Sequence, residues 1–319
     1  MTSPDSAYHH VADVSSVTTP SRYMFSTVAM SFISEEVACR GTLYRPDCPN
    51  DPALIVTASG LPGRSSIISS LYAERLANAG YALFHFDVRH MGESDGTPRN
   101  HIDPAAQRDD WEAALAGLRA RADVDTTRLI LCGVDLGCGV AASVAANNSD
   151  VDAMIGITPI RSGRSFFDSH SRRYRLRGLI RGIRDRVQSL LTSPHTVPVY
   201  DTNEFALIDA PASYPSNSIA QSQRNAEDIS TPARSFLALS RDAVKSPVTV
   251  PTVLIDKTSE SGDLIKPISS MTDDMPNATT IELSFSHAEL CNQPAADTVV
   301  AHIDAFLSSN LDVNVTDTD

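Results

Sequence analysis

The chain has 319 residues, a formal net charge of −13 and 42% hydrophobic residues, a composition typical of folded globular proteins and unlike that of disordered or fibrous chains. The acidic balance argues against a nucleic-acid partner, and because no apolar run approaches the roughly 18 residues of a membrane helix, no membrane association is expected. The polar N-terminus lacks a signal-peptide pattern, and the five cysteines lack CxxC spacing. We therefore expect a cytoplasmic protein with reduced thiols and no bound metal.

The predicted elements begin after a polar segment, residues 1–22, which is interpreted as a loose N-terminal arm. Alternating apolar and polar residues predict a β-hairpin around Phe25–Ile33 and Val37–Tyr44. Four short, largely apolar runs then predict strands buried on both faces, at residues 53–59, 81–86, 128–132 and 151–157. Between these strands, apolar or small residues at helical spacing predict helices at residues 69–79, 105–121 and 139–146.

The alternation of strands and helices stops after residue 160. Residues 161–247 contain an Arg-rich helical stretch at about 172–191 and then a polar, proline-containing region. Strand-like runs return at residues 248–255 and 279–283, and a closing helix is predicted at residues 296–307. This pattern predicts an α/β protein with a mostly parallel, doubly wound sheet formed by residues 23–160 and 248–319. Residues 161–247 are predicted to be an inserted cap over the carboxyl ends of the strands.

The sharpest motif is Gly133-Val134-Asp135-Leu136-Gly137, which lies between a predicted strand and a predicted helix. This is the context of a nucleophile elbow, a turn so tight that the nucleophile adopts a strained backbone conformation and only small residues fit two positions before and after it. Gly133 and Gly137 meet that need, and the nucleophile position, usually Ser, holds Asp135. An ordinary glycine-rich turn with a capping Asp is the alternative interpretation.

A second loop, Ser59-Gly60-Leu61-Pro62-Gly63, follows the first buried strand. In this architecture the loop supplies one N–H group of an oxyanion hole, and the residue after the nucleophile supplies the other. The predicted donors are therefore the backbone N–H groups of Leu61 and Leu136. A plain Pro-Gly turn is the alternative.

Two residues near the C-terminus complete a predicted triad. His287 follows the last predicted strand, where a general base reaches the site in such a fold, although a surface loop histidine is the alternative. Asp263 follows the strand at 248–255, and a carboxylate there orients the His ring and stabilises the imidazolium. Asp256 and Glu260 are rivals for this role, and a turn or helix-capping role for Asp263 stays open. The chain order of nucleophile, acid and histidine matches that of Ser…Asp/Glu…His hydrolases.

With these motifs the chain resembles the α/β-hydrolase superfamily over about residues 23–160 and 248–308. Asp87–Gly96 resembles the D-x-R-G-x-G-x-S loop of that superfamily, with His90 where Gly is usual. The body is similar to dienelactone-hydrolase-like hydrolases of microbial secondary metabolism. The catalytic motifs resemble the epoxide hydrolase branch, which has an Asp nucleophile and an H-G-x-P loop, although Ser replaces His here. Haloalkane dehalogenases share the Asp nucleophile but usually carry Trp beside it, where this chain has Leu136.

The resemblance implies that Asp135 attacks an sp³ carbon of an epoxide and forms an alkyl-enzyme ester. Water activated by His287 then hydrolyses the ester, and the oxyanion hole holds the developing charge. Cap tyrosines protonate the epoxide oxygen in that branch, and the candidates here are Tyr174, Tyr200 and Tyr214. The expected substrate is a small, natural-product-like molecule, and no cofactor is expected because the chain has no dinucleotide or Walker motif.

Three other functions stay open at this stage. The fold also supports a lyase or cyclase in which Asp135 or His287 acts as a base without a covalent step. An ester or thioester hydrolase uses the same oxyanion hole. A non-catalytic binding protein is the third, because fold does not imply function.

The first part of the cap, from Arg161 to Arg186, holds nine Arg residues and includes most of the helical stretch. The apolar residues of this stretch fall near helical spacing, which predicts that one face packs while the guanidinium groups face outward. These apolar residues are Leu176, Ile180, Ile183, Val187 and Leu190. The stretch is interpreted as a solvated or oligomer-contact helix, which leaves a homodimer open. One alternative is an anion-binding entrance for a carboxylated substrate, coenzyme A or the phosphopantetheine of a carrier protein. A membrane-surface role is another, although the acidic character of the rest of the chain argues against it.

Overall fold

The computed structural model describes residues 9–11, 22–49, 51–63, 69–168, 170–201, 205–209, 229–242, 247–257, 269–285 and 293–311. Within these described residues, nine strands form one sheet. In chain order they are β1 (His9–Val11), β2 (Phe25–Ser34), β3 (Val37–Pro46), β4 (Leu54–Ser59), β5 (Ala82–Phe86), β6 (Leu129–Val134), β7 (Val151–Ile157), β8 (Thr252–Lys257) and β9 (Ala278–Leu283).

The order across the sheet is β1-β9-β8-β7-β6-β4-β5-β3-β2. Following the order across the sheet, every neighbouring pair from β1 at one edge as far as β5 is parallel. β3 then pairs antiparallel with both β5 and β2. The predicted hairpin and the predicted mostly parallel, doubly wound sheet are therefore confirmed.

Two strand predictions need correction. β8 begins at Thr252 and not at residue 248, because Pro251 has no N–H to donate to a ladder. The carbonyl of Pro251 still accepts a hydrogen bond from the N–H of Met154 at 2.9 Å. The interpretation of residues 1–22 as a loose arm is wrong for His9–Val11, which pair in parallel with β9 at one edge of the sheet.

The described helices follow the predicted alternation with the strands. A π-helical turn at Ser69–Ala73 leads into the first α-helix, which ends at Gly80 with a φ of 104°, a left-handed conformation that favours glycine. The α-helices are α1 (Glu74–Ala79), α2 (Pro104–Arg119), α3 (Gly137–Ala145), α4 (Ser165–Asp168), α5 (Arg172–Gln188), α6 (Ser235–Arg241), α7 (Ser269–Thr272) and α8 (Gln293–Asn310). None of the helices in these ranges is long and apolar enough to cross a lipid bilayer.

Helices cover both faces of the sheet. Successive strand residues point to opposite faces, so Ile55 and Ile130 share one buried cluster with α1 and α8. Leu54 and Leu131 share the other buried cluster with α2 and α3. The sheet is thus buried on both sides, and its functional groups are available only at the strand ends.

The cap, residues 161–247, lies between β7 and β8 in the chain. Its described part contains α4, α5 and α6 together with two pairs of short strands, Thr196–Pro198 with Ser230–Pro232 and Tyr200–Asp201 with Ile208–Asp209. The cap side chains Phe167 and Phe236 belong to the same buried cluster as Leu136 of the core. The described part of the cap therefore packs on the core and has no separate apolar core of its own.

The prediction that the apolar face of the Arg-rich helix packs is wrong. Its apolar residues are exposed by 51% to 81% (Leu176, Ile180, Ile183, Val187 and Leu190). The buried positions of α5 are instead Gly178, Gly182 and Asp185. The two glycines bring α5 close to α6, since a Cβ atom at either position would overlap Phe236 or Leu237. Close backbone approach, and not apolar area, decides which side of α5 is packed.

Candidate active site

The candidate site lies where the strand order of the sheet reverses direction. From β4 the chain continues to β5 on one side, whereas β6, on the other side of β4, is followed by β7. The loops after β4 and β6 therefore diverge and leave a crevice at the carboxyl ends of the strands, the usual ligand site of such sheets. Gly60 and Leu61 follow β4, and Asp135 follows β6.

Asp135 occupies a strained turn between β6 and α3. Its φ is 52°, a left-handed conformation that few residues other than glycine adopt. Its N–H donates to the carbonyl of Ile157 at 3.0 Å, and its carbonyl accepts from the N–H groups of Cys138 at 3.0 Å and Ile160 at 3.1 Å. These bonds hold the turn in place, as expected where strain serves a functional site. The predicted elbow conformation is thus present.

The glycines of the two loops are required by close backbone contacts. A Cβ atom on Gly133 would overlap the backbone of Cys138, and one on Gly137 would lie 2.7 Å from the carbonyl oxygen of Ala58. A Cβ atom on Gly60 would lie 2.8 Å from the nitrogen of Gly137. The elbow and the loop after β4 therefore touch at the backbone, which only glycine permits.

The Asp135 side chain is held from the neighbouring strand. It is 2% exposed, and its Oδ1 accepts a hydrogen bond of 2.6 Å from the hydroxyl of Thr158, the first residue after β7. Thr158 itself has a φ of 48°, which is costly for a β-branched residue. Its N–H donates to the carbonyl of Ile255 at 2.8 Å, which fixes this conformation. Sequence reasoning missed Thr158, although its place at the end of the strand beside β6 is a signal that points to it.

The predicted oxyanion-hole residues flank the contact between the two loops. Leu61 is 3% exposed and Leu136 is fully buried. Leu136 directly precedes α3, where N–H groups have no partner within the helix. The carbonyl of Gly60 accepts from Nε2 of the buried Gln107 at 3.0 Å, which ties this loop to α2. The arrangement is compatible with the two predicted donors, whose role stays a prediction.

Several predicted site residues lie outside the described residues: His287, Asp263, its rival Glu260, and Tyr214. The strands that precede His287 and Asp263, β9 and β8, end at the same edge of the sheet as β6. Asp256 is described, and it lies in β8 one residue beyond Ile255, beside Thr158. Asp256 is thus a carboxylate that the topology brings to the candidate site.

The cap tyrosines differ in what the structure shows of them. The hydroxyl of Tyr174 lies 2.7 Å from the carbonyl of Ala206 and 2.9 Å from that of Leu207, so it serves to tie α5 to the rest of the cap. The backbone of Tyr200 lies in a short cap strand. Tyr174 is therefore a structural contact within the cap, and its role as a proton donor to substrate stays a prediction.

The thiols near the elbow are poor nucleophiles. Burial, and then the nearby Asp135 carboxylate, raise the pKa of Cys138 well above its usual value. Burial raises the pKa of Cys132 to about 12. Both thiols are therefore protonated near neutral pH. The part of the chain that the structure describes contains no cluster of His, Cys, Asp or Glu suited to a metal ion.

The loop after β5 is structural. The guanidinium of Arg89 donates to Asp110 and Glu35 at 2.7 Å, and the carboxylate of Asp87 accepts from the N–H of Glu93 at 2.8 Å. His90, where the related loops have Gly, adopts a φ of 70°. These contacts anchor the loop to α2 and to the turn after β2, and they do not involve Asp135.

Comparison with known proteins places these features in context. Residues 49–186, less than half of the chain, match the protein family described as serine aminopeptidase, S33. Quorum-quenching protein AidA of Acinetobacter baumannii (strain MDR-ZJ06) is 33% identical over 187 residues, which cover 58% of this chain and 62% of that protein. Thiohydrolase apmlB of Arthrinium phaeospermum is 32% identical over 175 residues, which cover 53% of this chain and 54% of that protein. The matched region thus spans less than two thirds of either curated relative.

Among solved structures, the α/β hydrolase GrgF from Penicillium sp. sh18 superposes with a TM-score of 0.72 at 17% identity. The match covers 90% of this chain and 99% of GrgF. The chain therefore has the α/β-hydrolase fold. The matched family is described as a serine enzyme, whereas the elbow of this chain holds Asp135.

Proposed function

We propose that this protein is a hydrolase of small molecules in which the Asp135 carboxylate carries out the chemistry. The observation that supports the proposal is the buried Asp135 side chain at a strained elbow, held by Thr158 and placed beside the loop after β4. A carboxylate at a nucleophile elbow occupies the position from which a serine would attack a substrate carbon, so it can attack a carbon placed there. The hydrolase names of the relatives agree with this general activity.

The reaction that best fits a carboxylate nucleophile is epoxide opening. An oxygen of Asp135 attacks one epoxide carbon, the C–O bond of the ring breaks, and the ring oxygen takes a proton from an acid. The cap candidates for that acid are Tyr200, Tyr214 and Tyr174, the last of which has its hydroxyl at two backbone carbonyls. The product of this step is an alkyl ester of Asp135 with a neighbouring hydroxyl group.

Hydrolysis of the ester restores the enzyme. In this proposal His287 takes a proton from water, and the resulting hydroxide attacks the carbonyl carbon of Asp135. The N–H groups of Leu61 and Leu136 hold the negative charge on the carbonyl oxygen. The C–O bond to the substrate then breaks, and His287 returns its proton to the leaving alkoxide. The proton left on the Asp135 carboxyl group passes to the acid that protonated the epoxide oxygen, which restores both groups. A nearby carboxylate, Asp263 or its rival Asp256, keeps the imidazolium stable.

Thioester hydrolysis is the second candidate, and the thiohydrolase names of several relatives favour it. In that reaction Asp135 either attacks the acyl carbon and releases the thiol, which leaves a mixed anhydride, or acts as a base toward water. The first route offers little advantage over direct hydrolysis, because the anhydride intermediate is at least as reactive as the thioester substrate. The same oxyanion hole serves both candidates.

A trapping experiment separates these candidates. His287→Gln removes the proposed base of the second step, so an intermediate on Asp135 accumulates and is measured by mass spectrometry of the intact protein. An epoxide probe gives an adduct heavier by the whole substrate, whereas an S-acyl-N-acetylcysteamine probe gives one heavier by the acyl group alone. Asp135→Asn in the same background is the matched control and gives no adduct.

A single turnover in ¹⁸O-water tests the covalent route in the wild-type chain. The label enters the Asp135 carboxylate when water attacks an ester of that side chain. If the label is found only in the product, Asp135 acts as a base and the covalent proposal is wrong. If Asp135→Asn hydrolyses both probes at the wild-type rate, the proposed function itself is wrong.

A further inference from the structure

The outward face of α5 and the turn that follows the helix carry exposed apolar side chains, which we name the apolar stripe. The exposed fraction runs from 43% at Leu179 to 88% at Leu191. The members of the stripe are Leu176, Leu179, Ile180, Ile183, Val187, Leu190 and Leu191. At about 100° of rotation per residue, the stripe members within α5 lie opposite the packed side of the helix that contains Gly178 and Gly182. It is therefore the side of α5 that points away from the protein.

Arginine residues border the stripe on both sides. By the same helical spacing, Arg175 and Arg186 lie along one edge, and Arg173 and Arg184 lie along the other. Within the described residues no carboxylate pairs with these four guanidinium groups. The only acidic residue of α5, Asp185, is buried and accepts from Arg234 at 2.7 Å. The exposed side of the helix is thus apolar in the middle and cationic at both edges.

We propose that α5 docks on the surface of a lipid bilayer that contains anionic lipids. An apolar stripe enters the boundary between headgroups and acyl chains, while flanking Arg side chains reach up to lipid phosphates. The helix lies on the bilayer and does not span it, because it has 17 residues with arginine in every turn. The net charge of −13 argues against binding to an anionic bilayer, but acidic groups farther than about 8 Å from the bilayer surface are screened at physiological salt.

A second copy of the chain is a poorer occupant of this surface. Pairing two stripes brings the Arg residues of both copies together without a described carboxylate between them. This repulsion favours the bilayer.

Vesicle sedimentation with the full chain tests the proposal. Vesicles of phosphatidylcholine mixed with phosphatidylglycerol should bind the protein at least about tenfold better than vesicles of phosphatidylcholine alone, and added salt should weaken the binding. The double variant Ile180→Ser/Ile183→Ser should lose binding by roughly tenfold, because it removes apolar area from the stripe. Arg175→Gln/Arg186→Gln should remove the preference for anionic vesicles.

Matched controls lie elsewhere on the surface. Ile33 is 65% exposed in β2, so Ile33→Ser removes an exposed isoleucine without touching α5, and it should bind like wild type. Arg119→Gln removes an exposed arginine from α2 and should also leave binding unchanged. Circular dichroism and thermal unfolding should show that all variants are folded, since the substituted side chains are at the surface.

Three outcomes would overturn the proposal. The first is no binding to anionic vesicles, which leaves a protein partner as the occupant of the stripe. The second is binding that the Ile180→Ser/Ile183→Ser variant retains. The third is that light scattering shows a dimer for the wild-type chain and a monomer for the same variant, which makes the stripe an interface between copies. None of these readouts depends on the reaction proposed at Asp135.

Discussion

Asp135 and Thr158 are two strained residues on neighbouring strands that share one hydrogen bond. Each adopts a positive φ, and each has an N–H bonded to the next strand in the sheet, at Ile157 and Ile255 respectively. A positive φ costs on the order of 1–3 kcal/mol at a residue other than glycine, so it persists only where several contacts hold it. The sheet therefore supports a fixed position for the carboxylate oxygen that faces Thr158.

Asp135→Asn tests the role of the carboxylate. The amide keeps the size of the side chain and removes its nucleophilic charge, so kcat should fall at least about a thousandfold for whichever probe the wild type hydrolyses. Steady-state kinetics with an epoxide and a thioester measure this. Asp150→Asn, at an exposed carboxylate that pairs with Arg119, is the matched control and should be neutral. Near-native turnover by Asp135→Asn would remove Asp135 from the mechanism.

Thr158→Val tests whether Thr158 positions the carboxylate. Valine has the same shape but lacks the hydroxyl, so one hydrogen bond to a charged group is lost and kcat should fall about tenfold with KM nearly unchanged. Thr158→Ser should restore most of the activity, because it keeps the donor. Thr280→Val, at a buried threonine in β9, controls for loss of a hydroxyl from the sheet. A kcat unaffected by Thr158→Val would make this bond purely structural.

At the scale of elements, glycines decide how the cap helices pack. Gly178 faces Phe236, which is 4% exposed and lies 4.3 Å from the ring centre of Phe167. The ring is enclosed and has no room to move, so a methyl group at position 178 forces α5 and α6 apart. The same close approach explains why the apolar residues of α5 face outward.

Gly178→Ala should therefore destabilise the cap. Overpacking costs about 1–3 kcal/mol, which exceeds the roughly 1 kcal/mol gained from the better helix propensity of alanine. The change is measured by denaturant unfolding. Gly117→Ala in α2 is the matched control, because its Cβ atom would meet only Phe32 at an ordinary 3.6 Å and alanine should be neutral or stabilising there. Equal effects of the two variants would show that propensity and not packing controls this position.

At the scale of the whole molecule, buried histidines make stability depend on pH. Burial lowers the pKa of His85 to about 4 and that of His101 to about 4. His101 also links core and cap, since its Nδ1 lies 3.0 Å from the hydroxyl of Ser235. Both histidines are neutral in the folded protein at pH values where the unfolded chain already binds protons.

Stability should therefore fall as the pH is lowered from about 6.5 toward 4. In this range the unfolded state binds more protons, and each histidine contributes up to about 1.4 kcal/mol per pH unit to the slope. Above about pH 6.5 these histidines are neutral in both the folded and the unfolded state, so they no longer lower the free energy of unfolding. Urea unfolding at several pH values measures how the free energy of unfolding changes with pH. His101→Gln should reduce this slope by the contribution of one histidine. A flat profile between pH 7 and 4 would contradict the burial of these rings.

The elbow and most of the sheet were predictable from the sequence because both rest on local patterns. Apolar runs identify buried strands wherever helices cover both faces, and the spacing of Gly133 and Gly137 around Asp135 reflects a turn that no larger side chain fits. His287 and Asp263 stay predictions, since they lie outside the described residues. The contacts of the Tyr174 hydroxyl were not predictable, because they join it to backbone carbonyls that are distant in sequence.

Local sequence patterns determined the order of the strands along the chain, the mostly parallel sheet and the position of the carboxylate at the end of β6. Only the tertiary structure decided which strands became neighbours, and so placed Thr158 next to Asp135. It also decided which side of α5 is buried, because periodicity locates an apolar face but not its partner. Two glycines and a buried Asp185 pack more closely than leucine and isoleucine permit, so the apolar side of α5 was left facing outward.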